Sequence, residues 1–245
     1  MKSPRLLLAL SLTTLLASCL TTDDGFKSIF NGQDLTGWEG LSFWSVKDGA
    51  IVGQTTTEKP TKGNTFLVWK GGEPANFELH ASFRLTGQNT ARFGNSGIQY
   101  RSKVVDAAGF VVAGYQADID LSGRYTGMLY EEKGRGILMN PGEKIRVGVT
   151  AVDEASKKKK TTIEKLPGAT PAAEVLAAYK IGEWNDLVII AEGTHARHYL
   201  NGKLTADVTD DDPAVAPKSG VLALQLHAGQ PMTIEFKNLR LKTLP

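Results

Sequence analysis

Apolar residues fall at every second position in several well-separated stretches of this chain. From Phe77 to Leu85, Phe77, Leu79, Ala81, Phe83 and Leu85 alternate with Glu78, His80, Ser82 and Arg84. Successive side chains of a strand point to opposite faces, so the stretch predicts a strand with one core face and one polar face. Three further segments share the layout. In Gly114–Asp120, Tyr115, Ala117 and Ile119 alternate with Gln116, Asp118 and Asp120. In Asn95–Arg101, Ile98 and Tyr100 alternate with Gln99 and Arg101, and in Val221–His227, Leu222, Leu224 and Leu226 alternate with Ala223, Gln225 and His227. If these three strands lie in one sheet, their polar faces converge. The result is a groove lined by Gln99, Arg101, Gln116, Asp118, Asp120, Gln225 and His227, which suits a neutral, hydroxyl-rich ligand such as a sugar.

Turn signals punctuate the rest of the chain. Asp48-Gly49 and Asn201-Gly202 supply the positive φ that tight hairpins need, and Gly193-Thr194 marks a third turn. One helix is predicted over 170–178, where Thr170 can cap, Pro171 opens the first turn and alanines follow. About a dozen short strands with one brief helix predict an all-β sandwich. The absence of an internal repeat argues against a propeller or a solenoid.

The 245 residues fit one large β domain, and no linker divides them into two cores. The first twenty residues differ in kind from the rest. Lys2 and Arg5 precede an apolar run from Leu6 to Ala17, too short to span a bilayer comfortably, which predicts an export signal over 1–18. Leu16-Ala17-Ser18-Cys19 resembles the bacterial lipobox, which would make Cys19 the lipidated first residue of the mature chain, followed by a tether to residue 25. A plain secretory signal with an incidental cysteine is the other reading. Either way the protein is expected outside the cytoplasm, in the periplasm or at the outer membrane if anchored. Cleavage removes Lys2 and Arg5 from 28 basic residues, leaving 26 against 26 acidic ones, so nothing in the charge favours nucleic acid. With one cysteine there is no internal disulfide. The run Lys157–Lys160 reads as an exposed loop, with attraction to anionic lipid as the alternative.

Asp118 and Asp120 are the paired carboxylates of a polar-faced strand. At i and i+2 their Cβ atoms lie roughly 7 Å apart, suited to flanking a sugar ring. Jelly-roll glycosidases place acids at i, i+2 and i+4 of one strand, but the first of those positions is the amide Gln116, which disfavours the retaining route. A hard cation such as calcium, held by the two aspartates and nearby amides, is the rival reading, and otherwise no cofactor is expected. Each candidate also has a bland reading: Arg101 as a groove-wall partner of Asp118, His227 as a hydrogen-bonded structural histidine, Asn95 as part of a backbone bend, and His80, His195 and His198 as surface residues.

Several pieces resemble, in order, the bacterial 3-keto-disaccharide hydrolase domain family. They are Phe30-Asn31-Gly32 with Leu35-Thr36-Gly37-Trp38, Asn95 to Arg101, Gly114 to Ile119, Glu183-Trp184-Asn185, Leu200-Asn201-Gly202, Leu224-Gln225-Leu226-His227 and Phe236 to Leu241. The resemblance covers residues 26–244. It implies a concanavalin A-like jelly roll of two curved antiparallel sheets with a sugar-binding concave face. It also implies cleavage of an oxidised glycoside: a ketone at C3 acidifies the C2 proton, a base removes it, the C1 substituent leaves, and water adds back. On that scheme Asp118 or His227 is the base, Arg101 stabilises the enolate, and Tyr130 or Asp120 serves the leaving group. Gln99, Gln116, Gln225, Asn95 and Tyr100 would bind substrate. Many members carry Glu and Gln where this chain has Gln116 and Asp118, so their catalytic assignments do not transfer directly. A non-catalytic carbohydrate-binding module and a structural protein of the envelope are the alternatives on the same fold.

Overall fold

A computed structural model describes residues 24–87, 93–149, 151–152, 154 and 159–245. The export signal, Cys19, and Lys157 and Lys158 lie outside the described residues. Nineteen strands and one α-helix are present among them. In chain order the first seven strands are β1 (Lys27–Ser28), β2 (Trp38–Glu39), β3 (Trp44–Lys47), β4 (Ala50–Thr55), β5 (Thr65–Trp69), β6 (Phe77–Gly87) and β7 (Asn95–Asp106). Next come β8 (Val111–Asp120), β9 (Leu129–Glu132), β10 (Gly136–Met139), β11 (Lys144–Val147), β12 (Ala151–Val152), β13 (Lys159–Lys160) and β14 (Ile163–Lys165). Helix α1 (Ala172–Ala178) precedes β15 (Asn185–Glu192), β16 (His195–Leu200), β17 (Lys203–Asp210), β18 (Val221–Leu226) and β19 (Met232–Thr243).

Two sheets face each other in a jelly-roll sandwich. The larger has the order β14-β11-β17-β16-β15-β6-β19-β4-β3, with β1 paired to β19. The smaller has the order β10-β9-β8-β7-β18-β5-β2, so the three segments singled out by alternation are indeed neighbours, β8-β7-β18. Pairing is antiparallel throughout both except where β11 runs parallel to β17. The expected turns close as predicted: Asp48 (φ 51°) and Gly49 (φ 73°) join β3 to β4, and Asn201 (φ 48°) and Gly202 (φ 80°) join β16 to β17. The helix begins one position later than the sequence suggests. Pro171 occupies the cap and the Thr170 side chain plays no part in it.

Alternation decides which residues fill the gap between the sheets. Leu79, Ala81, Phe83 and Leu85 of β6 and Leu187 and Ile189 of β15 meet Ile98, Tyr100, Tyr115, Ala117, Ile119, Leu222, Leu224 and Leu226 in one continuous core. The opposite face of the smaller sheet is split. Its polar part is the Gln99, Gln116, Asp118 and Gln225 row, and beside that lies a second apolar cluster of Phe66, Val68, Val112 and Ala223.

That second cluster exists because the β7–β8 hairpin bends back over the sheet. Ladder register breaks between Tyr100 and Lys103, and Arg101 there takes φ 47°. Gly114 (φ 141°) and Gly220 (φ 155°) make the bend possible: a Cβ on either would lie 2.5 Å from Ser102 Oγ or 2.3 Å from Ser102 O. The hairpin tip then reaches β5, which is not its neighbour in the sheet. The Phe66 N–H donates to Phe110 O at 3.0 Å and Thr65 Oγ1 to Gly109 O at 3.1 Å.

Candidate active site

The polar row forms as alternation predicts, but it is packed rather than open. Gln99, Gln116, Asp118 and Gln225 are 0–2% exposed. Cross-strand register sets Asn95 opposite Asp120, Gly97 opposite Asp118, and Gln99 opposite Gln116. Gly97 is required by space, since a Cβ there would lie 2.5 Å from the Gln116 side chain. The amides are aligned in one direction. Ser102 Oγ donates to Gln99 Oε1 at 2.8 Å, Gln99 Nε2 to Gln116 Oε1 at 2.8 Å, and Gln116 Nε2 to Asp118 Oδ1 at 2.8 Å. Asn95 Nδ2 donates to the other Asp118 oxygen at 3.0 Å. Each carboxylate oxygen of Asp118 therefore meets a fixed donor, and the chain of dipoles points at it.

Burial dominates the electrostatics of that carboxyl. Taking it out of water disfavours the charged form and pushes its pKa up to about 7. The bonds from Gln116 and Asn95 pull the other way, and the neighbouring Asp120 and Glu132 charges raise it further. A buried carboxylic acid that titrates near neutrality, held from both sides, is an arrangement suited to general-base or general-acid work.

Around it stands a rim of half-buried groups. Asp120 accepts from Ser122 Oγ. Tyr130 is opposite Gln116 across the β8–β9 ladder, and burial with the nearby Glu132 and Asp118 charges raises its phenol pKa. His227, two positions beyond Gln225, has Nδ1 2.5 Å from Ala228 O and meets Phe93 edge-on with centroids 5.8 Å apart. With Nδ1 donating to that carbonyl, Nε2 is the acceptor.

Two sequence-predicted residues lie elsewhere. Arg101 does not stand beside Asp118. Its left-handed backbone conformation sends the guanidinium to carbonyls at the end of the sandwich: Nε and Nη2 to Ala75 O at 2.8 and 2.6 Å, and Nη1 to Gly193 O at 2.7 Å. It is 3% exposed and its donors are spent, so neither the enolate role nor the pairing with Asp118 fits. Tyr100 faces the core, as its parity within β7 demands, and is wholly buried with its OH 2.9 Å from His198 Nε2. It cannot bind substrate there. His198 is correspondingly not a surface residue. It is fully buried, its Nδ1 is 3.3 Å from Gly127 O, and burial holds its pKa down at about 4.

Sequence reasoning missed Glu132. It shares the face of Tyr130 by the same two-residue period, is 6% exposed, and has Oε2 3.3 Å from Gln225 Nε2 and 3.5 Å from Asn64 Nδ2. Extending the alternation of β8 one strand further would have found it. Its neighbour Glu131 points the other way, into a buried cluster where Arg135 Nε donates to Glu131 at 2.5 Å and Arg135 Nη2 to Asp210 at 2.5 Å, while Tyr115 OH also donates to Asp210. Among the described residues no group of three or more His, Cys, Asp or Glu side chains is gathered as a metal cage.

Residues 25–242 match the family model described as the 3-keto-alpha-glucoside-1,2-lyase-like domain. No curated protein matches the chain in sequence. Among solved structures, it is similar to a protein of Parabacteroides distasonis ATCC 8503 provisionally named a glycosyl hydrolase, with TM-score 0.56 and 20% identity over 90% of this chain and 94% of that one. A second such structure from that organism has TM-score 0.53 and 20% identity over 89% of this chain and 99% of that one. The carbohydrate-binding module CBM66 of Bacillus subtilis has TM-score 0.51 and 17% identity over 84% of this chain and 96% of that one. At these identities the likeness is one of fold.

Proposed function

We propose that this chain, which belongs to the 3-keto-alpha-glucoside-1,2-lyase-like domain family, cleaves 3-keto-glycosides by elimination, with Asp118 as the base. The observation that carries the reading is the buried Asp118 carboxyl, brought to titrate at about 7 with each oxygen held by a side-chain amide. A ketone at C3 makes the C2–H bond acidic. Asp118 takes that proton, and the bonding pair forms the enolate. The enolate collapses by breaking the C1–O bond, leaving a C1=C2 double bond. The departing oxygen takes a proton from Tyr130, the half-buried phenol at the rim, and water then adds at C1 to give the hydrolysed sugar. Amide N–H groups of Asn64 and Asn95 at the rim, rather than Arg101, are the groups available to the enolate oxygen. His227, with Nε2 left as an acceptor, is the alternative base.

The test is turnover of a 3-keto-glucoside in deuterated water. Activity should fall tenfold per pH unit below about 7, as expected when an ionised Asp118 is required. Asp118→Asn should remove it. Full turnover in that variant, or no turnover of any 3-keto-glucoside, overturns the reading. Carbohydrate binding without bond cleavage is the second reading, favoured by the near-complete burial of the Asp118 row. It requires saccharide affinity that survives in Asp118→Asn with no product formed by the unaltered chain.

We further propose that the chain is exported and held at a membrane through lipidated Cys19, on the strength of the Leu16-Ala17-Ser18-Cys19 boundary. Cys19→Ala should move the protein from the membrane fraction to the soluble exported fraction. An unchanged distribution refutes the anchor.

A further inference from the structure

Beside Glu132 the surface falls into a hollow of about 430 Å³ lined by Arg101, Lys103, Gly114, Glu132, Lys133 and Lys218 among others. Its charges do not cancel. Lys103, Lys133 and Lys218 are exposed, and none of the three makes an ion pair among the described residues. Exposed lysines elsewhere are either paired, as Lys70 is with Glu39 and Lys165 with Glu143, or, like Lys47, Lys62 and Lys180, do not line this hollow; convergence of three on one hollow is what sets Lys103, Lys133 and Lys218 apart. Arg101 also lines the hollow, and its buried guanidinium is held by backbone carbonyls, with only the neutral amide oxygen of Asn76 besides. Those dipoles solvate the cation without neutralising it. Of the two acids lining the hollow, Glu131 is already taken by Arg135, and Glu132 accepts from Gln225 and lies at the far limit of a bond from Asn64.

The three lysines come from three elements: the bent arm of β7, the β9–β10 turn and the loop before β18. Lys133 sits at φ 56° in its turn. Their convergence is a product of the fold, and it lies next to the polar row through a shared residue, Glu132. A hollow of this size takes a ring with a substituent rather than a single ion.

We propose that this hollow is a subsite for an anionic group on the leaving portion of the substrate, so that the chain prefers glycosides whose aglycone carries a carboxylate or a like anion. The subsite deepens the reading above and rests on it for the identity of the sugar. Long-range attraction into a cationic hollow raises encounter rate and affinity together, and both fade with salt.

The experiment compares phenyl and 4-carboxyphenyl 3-keto-glucosides, which differ in one para carboxylate; the salt and lysine-variant arms separate its charge from its effect on the leaving phenol. The expected result is a kcat/KM ratio favouring the carboxyphenyl compound roughly tenfold at low salt, the scale of several exposed ion pairs acting together. That ratio should fall toward one in 0.5 M salt, a concentration chosen at roughly a 4 Å screening length. It should fall likewise in the triple variant Lys103→Gln, Lys133→Gln, Lys218→Gln. Equal rates for the two compounds, or a preference that survives both salt and the triple variant, overturns the subsite. Calorimetric binding of the same pair separates the two claims. If neither compound is cleaved but the carboxyphenyl one binds about tenfold tighter, by the same reasoning, the subsite stands and the lyase reading falls. Equal binding overturns the subsite whatever the turnover.

Discussion

Replacing Asp118 by asparagine tests the electrostatics of the site without reference to any substrate. The Asp118 pKa moves from 3.8 to about 7 on folding. The folded state therefore keeps a proton that the unfolded chain has released, and stability falls as pH rises from about 4 to 7. By linkage the loss amounts to about 4 kcal/mol once both limits are passed. His198 acts in the opposite sense over the same interval. Its pKa is held at about 4 against 6.5, so the unfolded chain binds the extra proton, and stability rises with pH by about 3 kcal/mol. In the unaltered protein these two slopes nearly cancel, and the variant should expose the histidine term alone. The introduced asparagine can keep the Gln116 bond through its amide oxygen, and the rim residue Asn95 can flip its own amide to accept from the new side-chain N–H. Whatever that rearrangement costs is independent of pH. Urea denaturation of both proteins from pH 4 to pH 8 measures the difference, which should grow in favour of the variant by about 4 kcal/mol, or roughly 8–16 °C in Tm for a chain of this size. A difference that stays flat across that range refutes the raised pKa and, with it, the base assigned under the proposed function.

Three other outcomes follow from the same geometry. Gly97→Ala drives a Cβ to within 2.5 Å of the Gln116 side chain, which is boxed in by Gln99, Asp118 and Gln225, so the variant should lose about 1–3 kcal/mol in urea and shift the rate profile to higher pH as the Gln116 bond to Asp118 is lost. Arg135→Met leaves the buried Asp210 and Glu131 carboxylates unpaired between the sheets and should cost about 3–5 kcal/mol in the same assay, whereas a loss below 1 kcal/mol would mean the cluster is wetter than its burial suggests. Tyr130→Phe should slow glycosides with poor leaving groups more than nitrophenyl glycosides, and equal slowing would remove Tyr130 from the proton delivery step.

The fold was legible because its information is local and repeated. Two-residue alternation in β6, β7, β8 and β18 set the core face of each strand, and Asp-Gly and Asn-Gly fixed two hairpins. Asp118, Gln116, Gln99 and Gln225 met as parity required. Arg101 escaped because the ladder slips immediately after Tyr100, and a bulge redirects the side chain that follows it. No period in the sequence announces that slip; the glycines that permit it, Gly114 and Gly220, are far from it in the chain. Tyr100 was misassigned against its own parity, which had already placed it with Ile98 in the core. His198 carries the same lesson. It lies between Arg197 and Tyr199 in a strand whose alternate positions Ala196 and Leu200 are buried, so periodicity would have sent it inward with a partner.

Burial of the row follows from a property that alternation cannot express. Side-chain parity says which residues share a face, but not how tightly that face curves. Here Glu132 on β9 comes within 3.3 Å of Gln225 on β18, although β8 and β7 lie between them in the sheet. A flat sheet would keep those strands about 14 Å apart at ordinary strand spacing, so the face closes on itself and its amides must find one another. The Gln99, Gln116 and Gln225 side chains in this closing concavity have no water to turn to. The stable solution is the single directed chain from Ser102 through Gln99 and Gln116 to Asp118, in which every donor has an acceptor and the deficit is passed to the one group able to accept twice. A carboxyl at that terminus satisfies the amides but is itself desolvated, and its high pKa is the consequence. Curvature, rather than any one neighbouring charge, is thus what sets the acidity of Asp118.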